Sequence, residues 1–382
     1  MRTQSYLFEN WLHKKRKNVS LLLLAGLFAL FLLSGCHRSS VEQEYFGPET
    51  PGLVSSLGDT YKDYFPIGAA VNPTTLNTHK ALLNKHFNSI TAENEMKYSS
   101  LQPSEGVFNW TAADKMVEYA YTNGKKVRGH TLVWHNQTPD WVFKDPYDSN
   151  KTASRELLLE RMETHIKAVV GRYKGKVYAW DVVNEAIPDG GGDLREDSPW
   201  YEIIGPDYIE YAFRFAHEAD PDALLFYNDY NAYQPTKRDK IYKLAKGLID
   251  KGIPIHGVGM QGHWDFSGPD IRDIEAAIKL YSSLELKVEI TELDLSLYRW
   301  NENDKKFASP PSERLYQQAV QCKKIFELFR KYKGVITNVT FWGIADDVTW
   351  KDNFPVRDRK DWPLLFDTKH DPKQAFWSVV NF

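Results

Sequence analysis

Cysteine is scarce in this chain of 382 residues, which contains only two, Cys36 and Cys322. Cys36 ends an N-terminal segment described below, so Cys322 alone remains for the folded part. A single cysteine cannot form an internal disulfide. The fold must therefore be stabilised by burial of apolar side chains, and a chain of this length can bury a large core.

The sequence also has no basic run beyond residue 17. The formal net charge is −3, and removal of residues 1–35, with five basic residues and one acidic residue, would leave −7. Nucleic-acid-binding proteins cluster Lys and Arg on one surface, so we expect no nucleic-acid partner. No repeat or low-complexity segment is visible. The sequence also has no Gly-rich phosphate turn after an early strand, and this absence disfavours an open doubly wound sheet, the second fold considered.

The first 35 residues predict an export signal. A basic cluster at residues 14–17 precedes an apolar stretch, residues 19–33, that is shorter than the roughly 20 residues of a comfortable membrane span. The stretch ends in Leu33-Ser34-Gly35-Cys36, which resembles the lipobox of bacterial lipoproteins. That resemblance implies cleavage before Cys36 and lipidation of its sulfur, while an ordinary signal peptide with an incidental cysteine is the alternative.

The predicted organisation has three parts. Residues 1–35 are a lipoprotein signal peptide, residues 36–55 are a polar, turn-rich tether, and residues 56–382 are a single catalytic domain. We therefore expect an exported protein that is anchored to a bacterial cell membrane, periplasmic or at the cell surface, through lipid on Cys36.

Strand-like apolar runs alternate with segments of helical period from about residue 57 onward. The eight strand-like runs are Phe65–Val71, Ser89–Ala92, Lys126–Thr131, Val177–Val183, Leu224–Tyr227, Gly257–Gln261, Leu286–Thr291 and Asn338–Phe341. The clearest amphipathic segments between them are Arg155–Arg172, Tyr208–Ala219, Arg238–Lys251, Asp270–Leu280 and Ser312–Tyr332. Eight alternations predict an α/β fold, the (β/α)8 TIM barrel.

Polar and aromatic residues recur where these runs end. They are Glu93, Asn94 and Lys97 at the end of run two, His130, Trp134 and His135 at run three, Asn184 and Glu185 at run four, Asn228, Asp229, Tyr230 and Asn231 at run five, Gln261 and His263 at run six, Glu292 and Asp294 at run seven, and Trp342 at run eight. Active sites of such barrels lie at the carboxyl ends of the strands. The pattern therefore predicts one site at that face.

The stretch "VEITELDL", residues 288–295, places three carboxylates in an apolar strand. Ionised carboxylates in such a run are costly unless they are paired or functional. For Glu289 we expect a simple pairing on the outer face of the barrel, without a catalytic role. Glu185 and Glu292 lie on strands four and seven, respectively, on opposite sides of the barrel mouth. Paired carboxylates across a cleft indicate glycoside hydrolysis.

A metal-dependent reaction is not expected. His130 and His135 have a spacing that could suggest zinc, but no carboxylate or third histidine completes a motif there. We predict that the activity needs no metal and no cofactor.

Seven blocks of the sequence resemble glycoside hydrolase family 10, the endo-β-1,4-xylanases, in family order from about Ser55 to Phe382. They are "TAENEMK", "GHTLVWHNQTPDW", "WDVVNEA", "FYNDYN", "GMQGHW", "ITELD" and "FWGIADDVTW". The resemblance implies hydrolysis of internal xylosidic bonds of xylan with retention of configuration, through a covalent glycosyl-enzyme intermediate. In retaining enzymes the two carboxyl groups stand about 5–5.5 Å apart.

The same resemblance implies a role for individual residues. Glu185 matches the acid/base and Glu292 the nucleophile. Supporting roles fall to Asn184, at the 2-hydroxyl of the −1 sugar, and to His263, Asp294 and Gln261 around the nucleophile. Substrate contacts are implied for Glu93, Asn94 and Lys97 at the −2 subsite, for His130, Trp134 and Trp342 in the −1 wall, and for Trp350, which closes over the glycone side.

The expected partners are xylan and xylo-oligosaccharides, and we expect a monomer. A retaining β-1,4-glucanase or cellulase on the same barrel is the main alternative, since two carboxylates would serve either substrate. A xylan-binding lipoprotein without activity is a weaker alternative, because both Glu185 and Glu292 are present.

Overall fold

The structure is a computed structural model that describes residues 44–50 and 52–382. The predicted signal peptide, Cys36 and the first part of the tether lie outside the described residues. Residues Phe46–Phe382 form a compact unit. Within the described ranges, no helix is long and apolar enough to cross a membrane.

Nine strands of the described chain form one parallel sheet that closes on itself. They are β1 (Ile67–Val71), β2 (Ser89–Ala92), β3 (Lys126–Trp134), β4 (Val177–Asn184), β5 (Leu224–Asp229), β6 (Gly257–Met260), β7 (His263–Asp265), β8 (Lys287–Ser296) and β9 (Ile336–Phe341). Strands β1 to β6 are paired in order, β9 pairs with both β1 and β8, and β6 pairs with β8. The short β7 pairs with the end of β8. The other eight strands make the predicted (β/α)8 barrel.

Helices follow the strands and cover the barrel. They are α1 (Leu57–Thr60), α2 (Thr75–Thr78), α3 (Lys80–His86), α4 (Tyr98–Leu101), α5 (Thr111–Thr122), α6 (Arg155–Arg172), α7 (Pro199–Ile204), α8 (Tyr208–Ala219), α9 (Pro235–Asp250), α10 (Ile271–Ser282), α11 (Ser312–Lys331) and α12 (Gln374–Val380). Short 3₁₀ turns lie at Asp140–Phe143 and Trp350–Asp352. The predicted boundaries of the long helices agree with those of the structure within a few residues. Side-chain oxygens cap some of the helix starts, as Ser154 does for α6.

The strands are buried on both faces, as expected for a parallel sheet under helices. Every residue of β1, β2 and β6 is buried. Packing between the neighbouring strands β3 and β4 is tight enough to require glycine at residue 129, where an added Cβ would lie 2.1 Å from the Trp180 ring. Cys322 is buried and unpaired on α11, and burial raises the pKa of its thiol to about 12. It packs as a small core residue.

The expectation that Glu289 faces outward is wrong. Glu289 is fully buried and accepts a hydrogen bond from Arg128 Nε at 2.7 Å. Arg128 also forms a bidentate pair with Asp181, and Tyr178 donates to Glu289 at 3.1 Å. The carboxylates are tolerated in the barrel interior because one guanidinium serves both, and its planar fork suits two partners.

The seventh strand-like run is also longer than predicted. Strand β8 extends to Ser296 rather than Thr291, so it covers the whole stretch "VEITELDL", and Glu292 and Asp294 lie inside it. His263 lies on the separate strand β7 and is paired in register with Asp294. The extra strand therefore fixes these two side chains against each other.

Candidate active site

Glu185 lies immediately after β4, where the chain turns out of the barrel. Its backbone has a φ of 55°, in the left-handed region that non-glycine residues rarely adopt. Its N–H donates to the carbonyl of Asn228 at 2.9 Å, which holds the turn against β5. Its half-buried carboxylate accepts hydrogen bonds from Trp134 Nε1 at 3.0 Å and from Gln261 Nε2 at 2.9 Å.

Glu292 lies in an irregular stretch of β8. The register between β8 and β9 shifts between Ile290 and Leu293. Such an irregularity re-aims a side chain that a regular strand would direct to another face. The N–H of Glu292 donates to the carbonyl of Gln261 at 2.7 Å, and this hydrogen bond ties the irregular stretch to the end of β6.

A chain of amide side chains joins the two carboxylates. Asn228 Nδ2 donates to Glu292 Oε1 at 2.8 Å and to Asn184 Oδ1 at 2.9 Å. Gln261 donates to Glu185 and, at 3.4 Å, to the same Asn184 oxygen. The amides come from three different strand ends, so closure of the barrel brings them together. Glu185 and Glu292 consequently share one hydrogen-bonded cluster.

His263 bridges Glu292 to Asp294. Its Nε2 lies 3.2 Å from Glu292 Oε2, and its Nδ1 lies 2.9 Å from Asp294 Oδ2. Asp294 is fully buried, accepts from Trp350 Nε1 at 2.8 Å and lies 3.6 Å from Lys351 Nζ. The Trp350 ring lies 4.8 Å from the His263 ring, centroid to centroid. Trp350 is thus held beside the cluster from the loop after β9.

Electrostatics favour opposite charge states for Glu292 and His263. Burial alone would raise the pKa of Glu292, but the charges of His130 and His263, with hydrogen bonds from His263 and Asn228, bring it to about 2. Burial would lower the pKa of His263, but Asp294 and then Glu292 raise it to about 9. At neutral pH, Glu292 is therefore ionised beside a protonated imidazole.

The pKa of Asp294 is also lowered, because Lys351, His263 and the Trp350 indole N–H outweigh its burial. The carboxylate thus remains charged and keeps His263 protonated.

The remaining predicted residues line the same mouth. His130 Nδ1 lies 2.8 Å from Asp181 and 4.0 Å from Glu292. The ring of Trp342 lies 5.3 Å from that of His130, and Lys97 Nζ lies 5.1 Å from the Trp134 ring centroid.

Lys97 connects this wall to the end of β2. Lys97 Nζ donates to Asn94 Oδ1 at 3.0 Å. Burial lowers the pKa of Lys97, although Glu292 and Glu93 oppose that effect. Glu93 follows β2 directly and accepts a hydrogen bond from Asn72 Nδ2 at 2.8 Å.

Sequence reasoning assigned no role to three residues that touch this cluster. Asn228 contacts the carboxylate of Glu292, Asp181 positions His130, and Asn72 positions Glu93. Asn228 is among the polar residues that the sequence places at the strand ends, where it ends its strand as Asn184 does, but no role was predicted for it. Asp181 lies inside a buried strand, and Asn72 lies just after β1. The local sequence around each residue does not distinguish it from a residue with a purely structural role.

The chain has close relatives among known proteins. The model of Glycosyl hydrolase family 10 matches residues 56–382. An endo-1,4-beta-xylanase of Geobacillus stearothermophilus is 55% identical over 328 residues, which cover 86% of this chain and 98% of that protein. A beta-1,4-xylanase of Dictyoglomus thermophilum is 50% identical over 356 residues, covering 93% and 98%. The crystal structure of xylanase XynB from Paenibacillus barcinonensis superposes with a TM-score of 0.84 at 50% identity, covering 86% of this chain and 99% of that one.

Proposed function

The chain belongs to glycosyl hydrolase family 10 and is a retaining endo-1,4-β-xylanase, and we propose that Glu292 is its nucleophile and Glu185 its acid/base. The observation that carries the assignment is the shared cluster in which Glu292 contacts a protonated His263 while Glu185 contacts neutral donors. Two carboxyl groups with different surroundings can take different catalytic roles.

In the first step, a Glu292 oxygen attacks the anomeric carbon of the sugar in the −1 subsite. The bond from that carbon to the glycosidic oxygen breaks, and Glu185 donates its proton to the departing oxygen. Glu292 is then esterified and uncharged, and His263 remains paired with Asp294. Asn228, which contacts Glu292 Oε1, orients the carboxylate for the attack.

In the second step, water attacks the same carbon and transfers a proton to Glu185, which now acts as the base. The ester bond breaks, Glu292 regains its negative charge, and the sugar leaves with its original configuration. Two inversions at one carbon account for retention.

The polar residues around the mouth are proposed to bind the xylan chain. Asn184 would contact the 2-hydroxyl of the −1 sugar, while His130, Trp134 and Trp342 form its walls. Support comes from their positions beside the two carboxylates.

Glu93, Asn94 and Lys97 would bind hydroxyl groups of the next sugar towards the glycone side. Lys97 supports this assignment, because its ammonium lies 5.1 and 6.0 Å from the centroids of the Trp134 and Trp342 rings. Trp350, fixed by Asp294, would restrict room for a hydroxymethyl group and thus favour xylose over glucose.

Product chromatography tests the substrate assignment. The purified chain is incubated with glucuronoxylan and, separately, with mixed-linkage β-glucan and soluble cellulose. We expect xylo-oligosaccharides of several lengths early in the reaction and little product from the glucans. Equal or greater release from the glucans would contradict the subsite assignment while leaving a retaining glycosidase.

We further propose that the protein is exported as a lipoprotein, cleaved before Cys36 and anchored to a bacterial cell membrane through lipid on that residue. The support is the basic cluster, the short apolar stretch and the sequence Leu33-Ser34-Gly35-Cys36. Two or more acyl chains give stable anchoring. In cells fed an alkyne fatty acid, the chain should become labelled and partition into detergent, and the variant Cys36→Ser should do neither. Labelling of that variant would contradict the proposal.

We also propose that the protein acts as a monomer. The support is that the cluster around Glu185 and Glu292 is complete within one chain. Light scattering after size-exclusion chromatography should give the mass of one chain at assay concentration, after correction for detergent, and a dimer mass would contradict this.

A further inference from the structure

Three side chains from distant parts of the described chain converge at a place that the mechanism does not use. His79 lies between α2 and α3, Asp347 lies in the loop after β9, and His370 lies in the turn before α12. One ligand atom from each lies within 4.8 Å of the others. His79 Nε2 is 2.9 Å from Asp347 Oδ1, and His370 Nε2 is 3.4 Å from Asp347 Oδ2.

We propose that His79, Asp347 and His370 bind a structural zinc ion, with water completing a four-coordinate site. Tetrahedral zinc with bonds of about 2.0–2.1 Å places its ligand atoms about 3.3 Å apart. The His79 nitrogen lies 2.9 Å from one oxygen of Asp347, and the His370 nitrogen lies 3.4 Å from the other, so each nitrogen is near that separation from the carboxylate. Two imidazoles and one carboxylate form a donor set that suits zinc better than magnesium or calcium, which prefer oxygen ligands.

The hydrogen bonds around His79 orient its ring as a ligand. The Thr78 hydroxyl donates its hydrogen to the Thr74 carbonyl at 3.1 Å, and its oxygen lies 2.7 Å from His79 Nδ1. With that hydrogen on the Thr74 carbonyl, Nδ1 donates to the hydroxyl oxygen, and Nε2 is the nitrogen that can bind a cation. Nε2 lies 2.9 Å from Asp347 Oδ1, so a cation held by this nitrogen would also be within reach of the carboxylate. A ligand histidine usually donates its other N–H in this way.

The second imidazole brings another nitrogen to the same carboxylate. The rings of His79 and His370 lie 4.3 Å apart, centroid to centroid, and share the single Asp347 carboxylate. Two imidazole nitrogens that face one carboxylate can bind one divalent cation together.

The site is preformed and accessible. His79 is 1% exposed, whereas the side chains of Asp347 and His370 are about one-third exposed, so an ion and its water can enter. The turn that carries His370 is fixed because Asp367 Oδ1 accepts from the N–H groups of Lys369 and Asp371. The ion would join the first connection of the barrel to the last. It would also steady the loop that leads to Trp350, three residues after Asp347.

The test measures zinc on the full chain, purified in mild detergent with an affinity tag that contains no histidine. Zinc is removed with a chelator, and rebinding is followed by equilibrium dialysis with elemental analysis. We expect about one zinc per chain and a melting temperature that rises by several degrees with zinc but not with calcium.

The variant His370→Asn should lower the zinc affinity by at least about 100-fold and abolish the rise in melting temperature. Asparagine tolerates the φ of 69° at this position, so the turn should be retained. Asp347→Asn should behave in the same way. His217→Asn on α8 is the matched control and should bind zinc as the unmodified chain does. Absence of zinc from the unmodified chain at micromolar free zinc, or equal binding by all variants, would overturn the proposal.

Discussion

The charge state of His263 depends chiefly on Asp294, and replacing that residue with asparagine tests the electrostatic description of the site. The substitution retains the shape of a fully buried side chain but removes its negative charge. Asp294 lies 2.9 Å from His263 Nδ1 and is the largest of the influences that raise the pKa of His263, against burial, from 6.5 to about 9.

The magnitude follows from that difference. A change from 9 to 6.5 is 2.5 pH units, or about 3.4 kcal/mol at 1.36 kcal/mol per unit. A group whose pKa is raised on folding contributes stability that is fully present below pH 6.5 and is lost as the pH rises through about 9. In Asp294→Asn, His263 remains buried, and of the two carboxylates beside it only Glu292 is left. We therefore expect the midpoint of the His263 titration to fall by about 2 pH units.

Nitrogen-15 NMR of histidine-labelled protein measures that midpoint directly. We expect about 9 in the unmodified chain and about 7 or lower in Asp294→Asn. Xylanase activity relative to the unmodified chain should be lower at pH 8, where the variant's His263 is neutral, than at pH 5.5, where it is protonated again. The variant should also lose about 3–5 kcal/mol of stability, because Lys351 is left buried without its partner.

Asp265→Asn is the matched control, since Asp265 lies on β7 with His263 and its carboxylate accepts hydrogen bonds from Ser267 instead. It should leave the His263 midpoint near 9. A midpoint that stays near 9 in Asp294→Asn, or an activity ratio that does not change with pH, would refute the electrostatic reasoning.

Other predictions address the two glutamates and the barrel interior. Glu292→Ala should abolish turnover but leave xylan affinity within a few-fold in isothermal titration calorimetry; near-normal turnover would remove Glu292 as the nucleophile. Glu185→Ala should reduce the rate on xylan by about 10²–10⁴-fold. It should reduce the first step on activated aryl xylosides far less, because their leaving groups need no proton. Equal losses on the two kinds of substrate, measured by steady-state and burst kinetics, would argue against the acid role. Arg128→Met should lower the free energy of unfolding by about 3–5 kcal/mol in urea titrations, since two buried carboxylates lose their partner. The exposed pair of Arg172 provides the comparison, and Arg172→Met should cost less than about 1 kcal/mol; similar losses in both variants would contradict the role of burial.

The strand and helix pattern could be predicted from the sequence because it depends on local periodicity. Apolar runs of strand length alternate with amphipathic helices, and this alternation indicates a barrel without knowledge of any contact. The candidate residues could be located for a similar reason. Parallel strands all present their carboxyl ends at one face, so Glu185 and Glu292, 107 positions apart, must share a mouth once the barrel closes.

Only the tertiary structure decided which side chains meet. Glu289 and Glu292 are three positions apart in one strand, so a regular strand would direct them to opposite faces. Glu289 contacts Arg128 inside the barrel, and Glu292 contacts His263 at the mouth, because the register of β8 shifts between Ile290 and Leu293. Periodicity cannot reveal such a shift, since it depends on the neighbouring strand.

The convergence of His79, Asp347 and His370 has the same character. His79 and Asp347 are 268 positions apart and meet because β1 pairs with β9 when the barrel closes. A contact of that kind is set by the geometry of closure, which no local run of residues encodes. Local sequence thus determined the elements and the residues available to each end of the barrel, and the closed barrel determined their partners.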